Sequence, residues 1–531
     1  MNAKHLLILS AVFTLLLAAC GGAATPVQIS APQATEAPAA TQLAEAPVVI
    51  ATQGQAYLPP APTAEAFFTP APTATAPVDN TFQNYGVNPF IDTYADHLST
   101  FALDVDTASY TVARRYVNDG LIPPPDAIRV EEFVNYFQQD YTAPPDVAFA
   151  LYADGAPSPF QKDGTQIIRV GVQGYSVSEA ERKPASLTFV IDISGSMAQD
   201  GRLELVKQSL QMLVDRLRPS DSVAIVVYGS DARVLLNPTS GEDRATILSA
   251  IYGLQPEGAT NVEAGLRVGY DLANRAYRPD GINRVILCSD GVANVGATGP
   301  DQILQSIRGY ADAGITLTTV GFGMGNFNDV LMEQLADNGD GNYAYVDDLD
   351  EAQKLFVEDM TSTLQVIALN AKVQVDFNNE VVARYRLIGY ENRAVADQDF
   401  RNNAVDAGEI GAGHTVTALY AVQFHNPGVE GRIATVSLRW EDPTTHEVKE
   451  INGNFNSWDM AQSFDEASLR YQLDVVVAQY AELLRYSPYA AETTFDDLRI
   501  RSQRLAAQLP GDADVAEFAQ LVERASQLSG W

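Results

Sequence analysis

Hydrophobic and polar positions along the chain change their period twice, and each change marks a different kind of predicted structure. Between about residues 185 and 366, short apolar runs alternate with segments in which apolar residues recur every three or four positions. Apolar runs are typical of buried strands, and the longer period is typical of helices with one buried face. This alternation predicts a central α/β domain whose mostly parallel sheet is covered by helices on both faces.

The predicted elements of the central region follow directly from these runs. The strands are 187–191, 222–228, 284–289, 316–320 and 343–346. Residues 233–236 are predicted to pair with the second strand as a hairpin. The helices are 203–217, 244–251, 262–276, 301–313, 329–336 and 350–363.

The regions on either side of the central domain follow other patterns. Before it, helices at 109–118 and 130–137 and strands at 147–152 and 167–172 predict an α+β flanking region over 83–180. After it, apolar residues alternate with mostly polar ones, which is typical of strands with one solvated face. The strands predicted there are 372–377, 381–388, 415–424 and 433–440, and helices follow near 469–484, 496–509 and 514–526. We therefore expect a second flanking region, β-rich and then helical, over 367–531.

The first eighty residues carry localisation signals. Lys4 and His5 precede an apolar run that is too short to span a membrane comfortably, and this is typical of a signal peptide over 1–20. The run ends in Leu17-Ala18-Ala19-Cys20, which looks like a bacterial lipobox, so Cys20 is expected to be lipidated. Secretory cleavage beside an incidental cysteine is the alternative. Residues 21–82 are rich in Ala, Pro and Thr and are expected to form a disordered tether.

Charge and hydropathy limit the partners and the location. The formal net charge is -33 over 531 residues, and such a surface repels phosphate backbones, so we expect no nucleic-acid partner. No later stretch is apolar enough to span a bilayer, so the chain by itself is not a channel. We expect an extracytoplasmic protein held by Cys20 at the cell membrane or the outer membrane. The other cysteine, Cys288, lies in an apolar run and is predicted to be buried.

Oxygen-bearing side chains stand at three points where the central elements end or begin. Asp192, Ser194 and Ser196 follow the strand 187–191, Thr260 precedes a helix, and Asp290 follows the strand 284–289. Ligands of an α/β sheet bind beyond the carboxyl ends of its strands, so these residues should lie on one rim. All five offer oxygen, which indicates a hard divalent cation, most readily Mg²⁺, with Mn²⁺ or Ca²⁺ as alternatives. Three are neutral hydroxyls, so the bound metal would retain positive charge and accept an outside carboxylate.

These five residues resemble the metal-ion-dependent adhesion site of von Willebrand factor type A (VWA) and integrin inserted domains. That family's pattern is Asp-x-Ser-x-Ser, then Thr, then Asp, and the resemblance implies a Rossmann-like VWA domain over 185–366. It also implies that Ser194, Ser196 and Thr260 coordinate the metal directly and that Asp192 and Asp290 act directly or through water. An Asp or Glu of a protein partner would complete the metal's shell. Capping of helices and loops, or a purely structural metal, are the alternatives for these residues.

Longer stretches outside the central domain carry a second resemblance. Residues 101–110, 387–393 and 406–414 look like the flanking domains of a family of bacterial VWA lipoproteins. This resemblance covers nearly all of the chain that is expected to fold, and it implies an architecture more than an activity.

Three other patterns are interpreted as structural. The glycines of 321–325 look like a dinucleotide loop, but Asn326 stands where a further glycine is needed, so we predict a turn capped near Asn328 and no nucleotide. Residues 337–342 suggest a calcium loop, but glycines occupy ligand positions, so a turn is predicted. Asp104 and Asp106 are acidic neighbours for which calcium binding is an alternative to the favoured structural role.

The same residues limit the function. No histidine occurs between His97 and His414, and no serine has a Gly-x-Ser-x-Gly context, so the central region offers no nucleophile with a base and no enzyme is expected. We predict a lipid-anchored binding protein in adhesion or envelope assembly that engages an acidic residue of a protein partner through its metal. An envelope scaffold with a purely structural metal is the alternative, and an enzyme of unknown substrate is less favoured.

Overall fold

The protein is described by a computed structural model that covers residues 80–291, 300–325, 327–428 and 430–529. The predicted signal peptide, Cys20 and the predicted tether up to residue 79 lie outside the described residues, as does Asn326. Within the described ranges, no helix combines the length and the apolar character that a membrane crossing requires.

The chain before the central domain forms the two predicted helices and more strands than the pattern indicates. Its elements are β1 (Ile91–Asp92), β2 (Leu98–Ala102), α1 (Ala108–Asn118), α2 (Val130–Asn135), β3 (Phe149–Pro157) and β4 (Gln166–Gly174). Helix α1 buries Tyr110, Val112 and Val117, so it is a core helix, and α2 ends two residues before the predicted boundary.

The central domain alternates strands and helices as predicted. Its elements are β5 (Ala185–Asp192), α3 (Arg202–Arg216), β6 (Ser222–Tyr228), β7 (Ala232–Ser240), α4 (Arg244–Tyr252), α5 (Val262–Arg275), β8 (Ile282–Ser289), α6 (Pro300–Ala311), β9 (Thr316–Phe322), α7 (Asp329–Asp337), β10 (Tyr343–Val346), α8 (Leu349–Gln353) and α9 (Met360–Leu364).

The central sheet has the strand order β10-β9-β8-β5-β6-β7. Its described neighbours run parallel except for β6 and β7. Strand β7 returns antiparallel because only residues 229–231 separate it from β6, which is too short for a crossover. Every residue of β5 is buried, as a central strand requires. The predicted fold class, an α/β domain with a mostly parallel sheet, is confirmed.

The prediction of one continuous helix over 350–363 is wrong. Helix α8 ends at Gln353, a π-helical segment occupies Lys354–Glu358, and α9 begins only at Met360. The Lys354 ammonium donates to the carbonyl oxygen of Tyr136 and to the carboxylate of Asp514, both at 2.9 Å. Contacts with the flanking regions therefore accompany the break, and tertiary contacts of this kind outweigh helical periodicity.

The chain after the central domain is β-rich and then helical, as predicted. Its elements are β11 (Val366–Phe377), β12 (Val382–Ile388), β13 (Gly408–Gly411), β14 (Thr415–Phe424), β15 (Arg432–Glu441), β16 (Val448–Asn456), α10 (Leu469–Leu484), α11 (Phe495–Gln508) and α12 (Ala513–Ser529).

Strands from the two flanking regions lie in the same sheets. One sheet has the order β1-β12-β14-β4-β3, and in the other, ordered β13-β11-β15-β16, β2 also pairs with β11. Between these sheets lies one apolar core, which contains Phe101 and Val172 from the first region and Val373 and Trp440 from the second. The flanking regions thus fold together, and the central domain lies between them in sequence.

The two ends of the central domain lie side by side. The Lys183 amide, just before β5, donates to Oε1 of Gln365, just before β11, at 2.9 Å. Gln365 in turn accepts a hydrogen bond from the Ala412 amide at 2.8 Å through its carbonyl oxygen. The chain therefore enters and leaves the central domain at one place, next to the shared sheets.

A buried ionic cluster connects all three regions. The Arg393 guanidinium pairs with Asp104 at 3.0 Å and with Asp337 at 2.8 Å, and Arg129 pairs with Asp329 at 2.6 Å. The full cluster consists of Arg129, Arg393, Asp104, Asp106, Glu131, Glu132, Asp329, Glu333 and Asp337. Carboxylates outnumber guanidiniums in it, and burial raises the pKa of Glu131 to about 7 and of Glu132 to about 8.

Several smaller predictions are also confirmed. The side chain of Asn328 accepts a hydrogen bond from the Leu331 amide at 3.1 Å and so caps α7. Cys288 is fully buried. Residues 338–342 form the turn between α7 and β10. Asp104 and Asp106 contact Arg393, in keeping with the favoured structural role.

Candidate metal centre

The carboxyl ends of two neighbouring strands carry the carboxylates predicted for a metal site. Asp192 is the last residue of β5, and Asp290 directly follows β8, which pairs with β5 in parallel. Ser194 and Ser196 lie in the turn after β5, where a 3-10 segment begins. Together with Thr260 these residues form what we call the rim site. Because the strands are parallel, both carboxylates reach the same edge of the sheet.

Four of the five residues are joined by a chain of hydrogen bonds. The Ser194 amide donates to Oδ1 of Asp192 at 2.8 Å. The hydroxyl oxygens of Ser194 and Ser196 are 3.0 Å apart, and the Ser196 hydroxyl donates to Oδ1 of Asp290 at 3.1 Å. The first and third predicted loops therefore bring their oxygens to one small volume.

Thr260 lies in a loop that is hydrogen-bonded to the first. The Gly195 amide donates to the Gly258 carbonyl oxygen at 3.2 Å, which holds the two loops together. Helix α5 begins directly after this loop, and the Asn261 side chain caps it by accepting from the Ala264 amide at 3.1 Å. Thr260 itself is half-buried, and among the described residues no hydrogen bond joins its hydroxyl to the other four. The structure thus places Thr260 beside the group without joining it.

The Asp192 carboxylate is fixed from its inner side. Its Oδ2 accepts hydrogen bonds from the Ser289 hydroxyl at 2.9 Å and from the Tyr228 hydroxyl at 3.2 Å. Burial raises the pKa of Asp192 to about 6, although its hydrogen bonds with Ser194 and Ser289 oppose that shift. Supporting groups of this kind orient a metal ligand before the metal arrives.

A cation of the protein lies next to the rim site. Arg202 donates from Nη1 to Oδ2 of Asp290 at 2.6 Å, and both side chains are 4 % exposed. Its Nη2 donates to the carbonyl oxygen of Met324, in the loop after β9. The pair leaves Oδ1 of Asp290 facing Ser196, so this carboxylate presents one oxygen toward the other ligands.

Sequence analysis did not identify three residues that support the site. Tyr228 ends β6 in register with Asp192, so aligning the ends of the predicted strands could have found it. Ser289 directly precedes Asp290 and could have been found in the same way. Arg202 gave no comparable signal, because its contact with Asp290 joins the start of α3 to a loop far away in sequence.

The donor set of the rim site fits a hard divalent cation. Carboxylate and hydroxyl oxygens are the ligands that Mg²⁺ prefers, and the five side chains offer no nitrogen or sulfur. Gly195 is exposed and Ser196 is half-buried, so the site opens to solvent on this side. Asp192, Ser194, Ser196 and Asp290 would hold the ion, with Thr260 adjacent. The open side leaves room for an outside ligand.

A second group of carboxylates lies at the opposite edge of the central sheet. The oxygens of Asp340, Asp406 and Glu409 are within 4.8 Å of one another, and Asp340 precedes the amino end of β10. Burial and the neighbouring carboxylates raise the pKa of Asp340 to about 6 and that of Glu409 well above its usual range. Protons can therefore relieve the repulsion in this group, and we assign no metal to it.

Three segments of the chain match known protein families. Residues 186–358 match the family model of the von Willebrand factor type A domain, and residues 76–169 match a model described as von Willebrand factor. Residues 362–528 match a model described as uncharacterized protein YfbK, C-terminal.

Individual proteins resemble the chain over more than one of these segments. The protein YfbK of Escherichia coli (strain K12) is 35% identical over 470 residues, which are 84% of this chain and 80% of that protein. The protein sll0103 of Synechocystis sp. is 26% identical over 290 residues, 53% of this chain and 67% of that protein. Among solved structures, a von Willebrand factor type A protein from Catenulispora acidiphila covers 72% of this chain and 90% of its own, with 16% identity and a TM-score of 0.41.

Proposed function

Because the chain belongs to the YfbK family of bacterial von Willebrand factor type A domain proteins, we propose that it is a metal-dependent binding protein in adhesion or envelope assembly. Its central domain holds a divalent cation, most readily Mg²⁺, at the rim site. An Asp or Glu of a protein partner supplies a further ligand to that ion. The chain is not an enzyme in this proposal, because the ion binds the partner and transforms nothing.

One observation carries this proposal. Asp192, Ser194, Ser196 and Asp290 are linked at the carboxyl edge of the sheet, Asp192 through the Ser194 amide and the other three through their side-chain oxygens. Two of the four side chains are neutral hydroxyls, so the two carboxylates only balance a bound dication and leave it able to accept an anionic ligand. The solvent side of the site, at Gly195, leaves that anion a path of approach.

Calorimetric titration with Mg²⁺ tests the metal site. The wild-type protein should bind about one ion per chain, and Asp192→Ala should lose most of that affinity because the buried ligand that receives two supporting hydroxyls is gone. Asp271→Ala is the matched control, since it removes an exposed aspartate of the same domain that lies outside the rim site. Equal Mg²⁺ affinity in wild type and Asp192→Ala would contradict the proposal.

The anchoring half of the proposal rests on the sequence around Cys20. We propose that acyl chains on this residue hold the protein outside the cytoplasm, at the cell membrane or the outer membrane. Cys20→Ser should abolish labelling with a fatty acid and move the protein from the membrane fraction to the soluble fraction. Cys288→Ser is the control and should change neither result. Unchanged labelling of Cys20→Ser would remove the anchor from the proposal.

An envelope scaffold is a second candidate, and the buried ionic cluster favours it. The guanidiniums of Arg129 and Arg393 connect the three regions through ion pairs, so this junction is held by charges of the protein itself. A photo-crosslinking residue in place of Gly195 separates the two candidates in the native envelope. Crosslinks that disappear with EDTA and with Asp192→Ala support metal-dependent binding, whereas crosslinks that survive both treatments support the scaffold.

A further inference from the structure

Arg202 is the first residue of α3, and its guanidinium lies buried behind the rim site. It pairs with Asp290 at 2.6 Å through Nη1 and donates to the Met324 carbonyl oxygen through Nη2. Asp200, whose side chain is mostly exposed, is 3.5 Å away. Asp290 is therefore the closest and most buried anion that this cation contacts.

The backbone on both sides is shaped around this guanidinium. Asp200 and Gly201 adopt φ angles of 49° and 73°, a left-handed turn that places Arg202 at the start of α3. Gly323 has a φ of +84°, and a Cβ at this position would stand 2.4 Å from Nε of Arg202. Only glycine combines that backbone with so close an approach. The backbone on both sides thus holds the Arg202 side chain in one buried position, away from solvent.

The position of Arg202 changes the charge of the rim site. A divalent cation together with the carboxylates of Asp192 and Asp290 is formally neutral, whereas the same set with Arg202 carries one positive unit. Charges in a buried setting act on one another much more strongly than in water. Arg202 also takes Oδ2 of Asp290, which leaves a single oxygen of that carboxylate for the ion.

We propose that Arg202 tunes the rim site, so that the protein holds its metal less tightly and the bound metal attracts an outside carboxylate more strongly. This inference rests on the proposed function and deepens it, because it names a residue that sets the affinity for the partner. Arg202 is a positioning residue, since it acts through Asp290 and through charge and does not touch the ion. The partner chemistry that it favours is a carboxylate rather than a neutral oxygen.

Two variants isolate the charge. Arg202→Gln removes it, and Arg202→Lys keeps it. Titration with Mg²⁺ alone should show that Arg202→Gln binds the ion about tenfold more tightly than wild type, because a repelling charge is gone. Arg202→Lys should stay within about threefold of wild type. A gain in metal affinity is a result that mere structural damage does not produce.

The second measurement uses a peptide probe. At saturating Mg²⁺, a blocked pentapeptide with one Glu among four Gly residues should bind Arg202→Gln about tenfold more weakly than wild type. The same peptide with Gln in place of Glu measures binding that does not depend on the carboxylate. Arg202→Met, which keeps the length of the side chain, repeats both titrations if Arg202→Gln fails to fold by circular dichroism.

The outcomes separate this inference from the proposed function. A wild-type protein that binds no Mg²⁺ overturns both. A wild-type protein that binds Mg²⁺, with Arg202→Gln and Arg202→Met binding it equally or more weakly, overturns only the role of Arg202. Tighter metal binding together with weaker binding of the Glu peptide supports the role.

Discussion

The rim site and the buried ionic cluster both contain neighbouring carboxylates, but the groups that surround these carboxylates differ. At the rim, the Ser194 amide and the hydroxyls of Ser194 and Ser196 link two carboxylates, and one guanidinium contacts the group from behind. In the cluster, Arg129 and Arg393 pair directly with carboxylates of the first flanking region and of the central domain. The first group opens to solvent at Gly195, whereas most side chains of the second are buried.

This difference shows why a count of carboxylates does not identify a metal site. A hydroxyl donates a hydrogen bond but brings no charge, so under the proposed function the rim site takes its cation from solution. A guanidinium brings both hydrogen bonds and a positive charge, so arginines of the protein itself neutralise much of the charge of the cluster's carboxylates. The excess carboxylates of the cluster respond by taking up protons, as the raised pKa values of Glu131 and Glu132 indicate.

The largest loss of stability is expected when the buried ionic cluster loses one of its arginines. Arg393→Ala leaves Asp104 and Asp106 buried without their partner, which typically costs about 3–5 kcal/mol of unfolding free energy. Urea denaturation followed by circular dichroism measures that loss. Arg401→Ala is the control, because this arginine pairs with Glu450 at the surface and should cost at most about 1 kcal/mol. Similar losses in both variants would remove the distinction between the cluster and an ordinary surface pair.

A smaller change in stability is expected when Mg²⁺ is added to fill the rim site. Mg²⁺ at about a hundred times its dissociation constant should stabilise the wild-type protein by about 2.7 kcal/mol, because only the folded state binds it. Asp192→Ala should gain nothing from the same addition, while Asp271→Ala should gain as much as wild type. Thermal unfolding with Mg²⁺ and with EDTA measures the difference. A gain of the same size in Asp192→Ala would place the ion elsewhere.

The stability that the buried ionic cluster provides should decrease as the pH rises. Burial raises the pKa of Glu131 to about 7, so the folded protein keeps a proton that the unfolded chain releases above about pH 4.5. The stability that this proton provides is present at about pH 4.5 and is lost as the pH rises through about 7. The free energy of unfolding should therefore fall, by an amount on the order of 1 kcal/mol or more, as the pH rises from about 5 to about 8.

Glu131→Gln isolates this contribution from those of other carboxylates. The Glu131 carboxylate accepts from the Tyr390 amide through Oε2 at 2.9 Å, and glutamine keeps an acceptor of the same size there. The variant should lose less stability than wild type over the same pH range. An unchanged pH slope would show that Glu131 does not hold the proton.

The smallest effect is expected from a hydroxyl behind the rim. Ser289→Ala removes the hydrogen bond to Oδ2 of Asp192 and leaves the bond from Tyr228, so the unfolding free energy should fall by about 1 kcal/mol. Affinity for Mg²⁺ should fall about tenfold, because the carboxylate is less firmly oriented. Ser209→Ala, which removes a buried hydroxyl in α3, is the control and should leave the affinity unchanged. Unaltered Mg²⁺ binding in Ser289→Ala would show that this hydroxyl does not orient Asp192.

The central domain could be predicted from sequence because its signals are local. The apolar strands, the helical faces and the polar residues after Asp192 and before Asp290 are all visible within a few positions. The alignment of Asp192 with Tyr228 required only the register of two neighbouring parallel strands. The contact of Arg202 with Asp290 could not be predicted, because it depends on how a helix start lies against a distant loop.

The flanking regions were harder because their pairing is non-local. Strand β2 pairs with β11, which lies beyond the whole central domain in sequence, and no local pattern marks that pairing. Strand β16 was missed for another reason. It is paired on one side with β15, and most of its residues are exposed or half-buried, so its polar sequence lacks the apolar alternation of a strand over a core.

The side-by-side ends of the central domain have a mechanical consequence. Strand β5 runs from the place where the chain enters the domain to Asp192 at the opposite edge. Tension between a partner held at that edge and the shared sheets would therefore act along β5, parallel to β6 and β8 on its two sides. Load in this direction shears many interstrand hydrogen bonds at once instead of unzipping them in turn. Under the proposed function, such a load would therefore act along the strands of the central sheet.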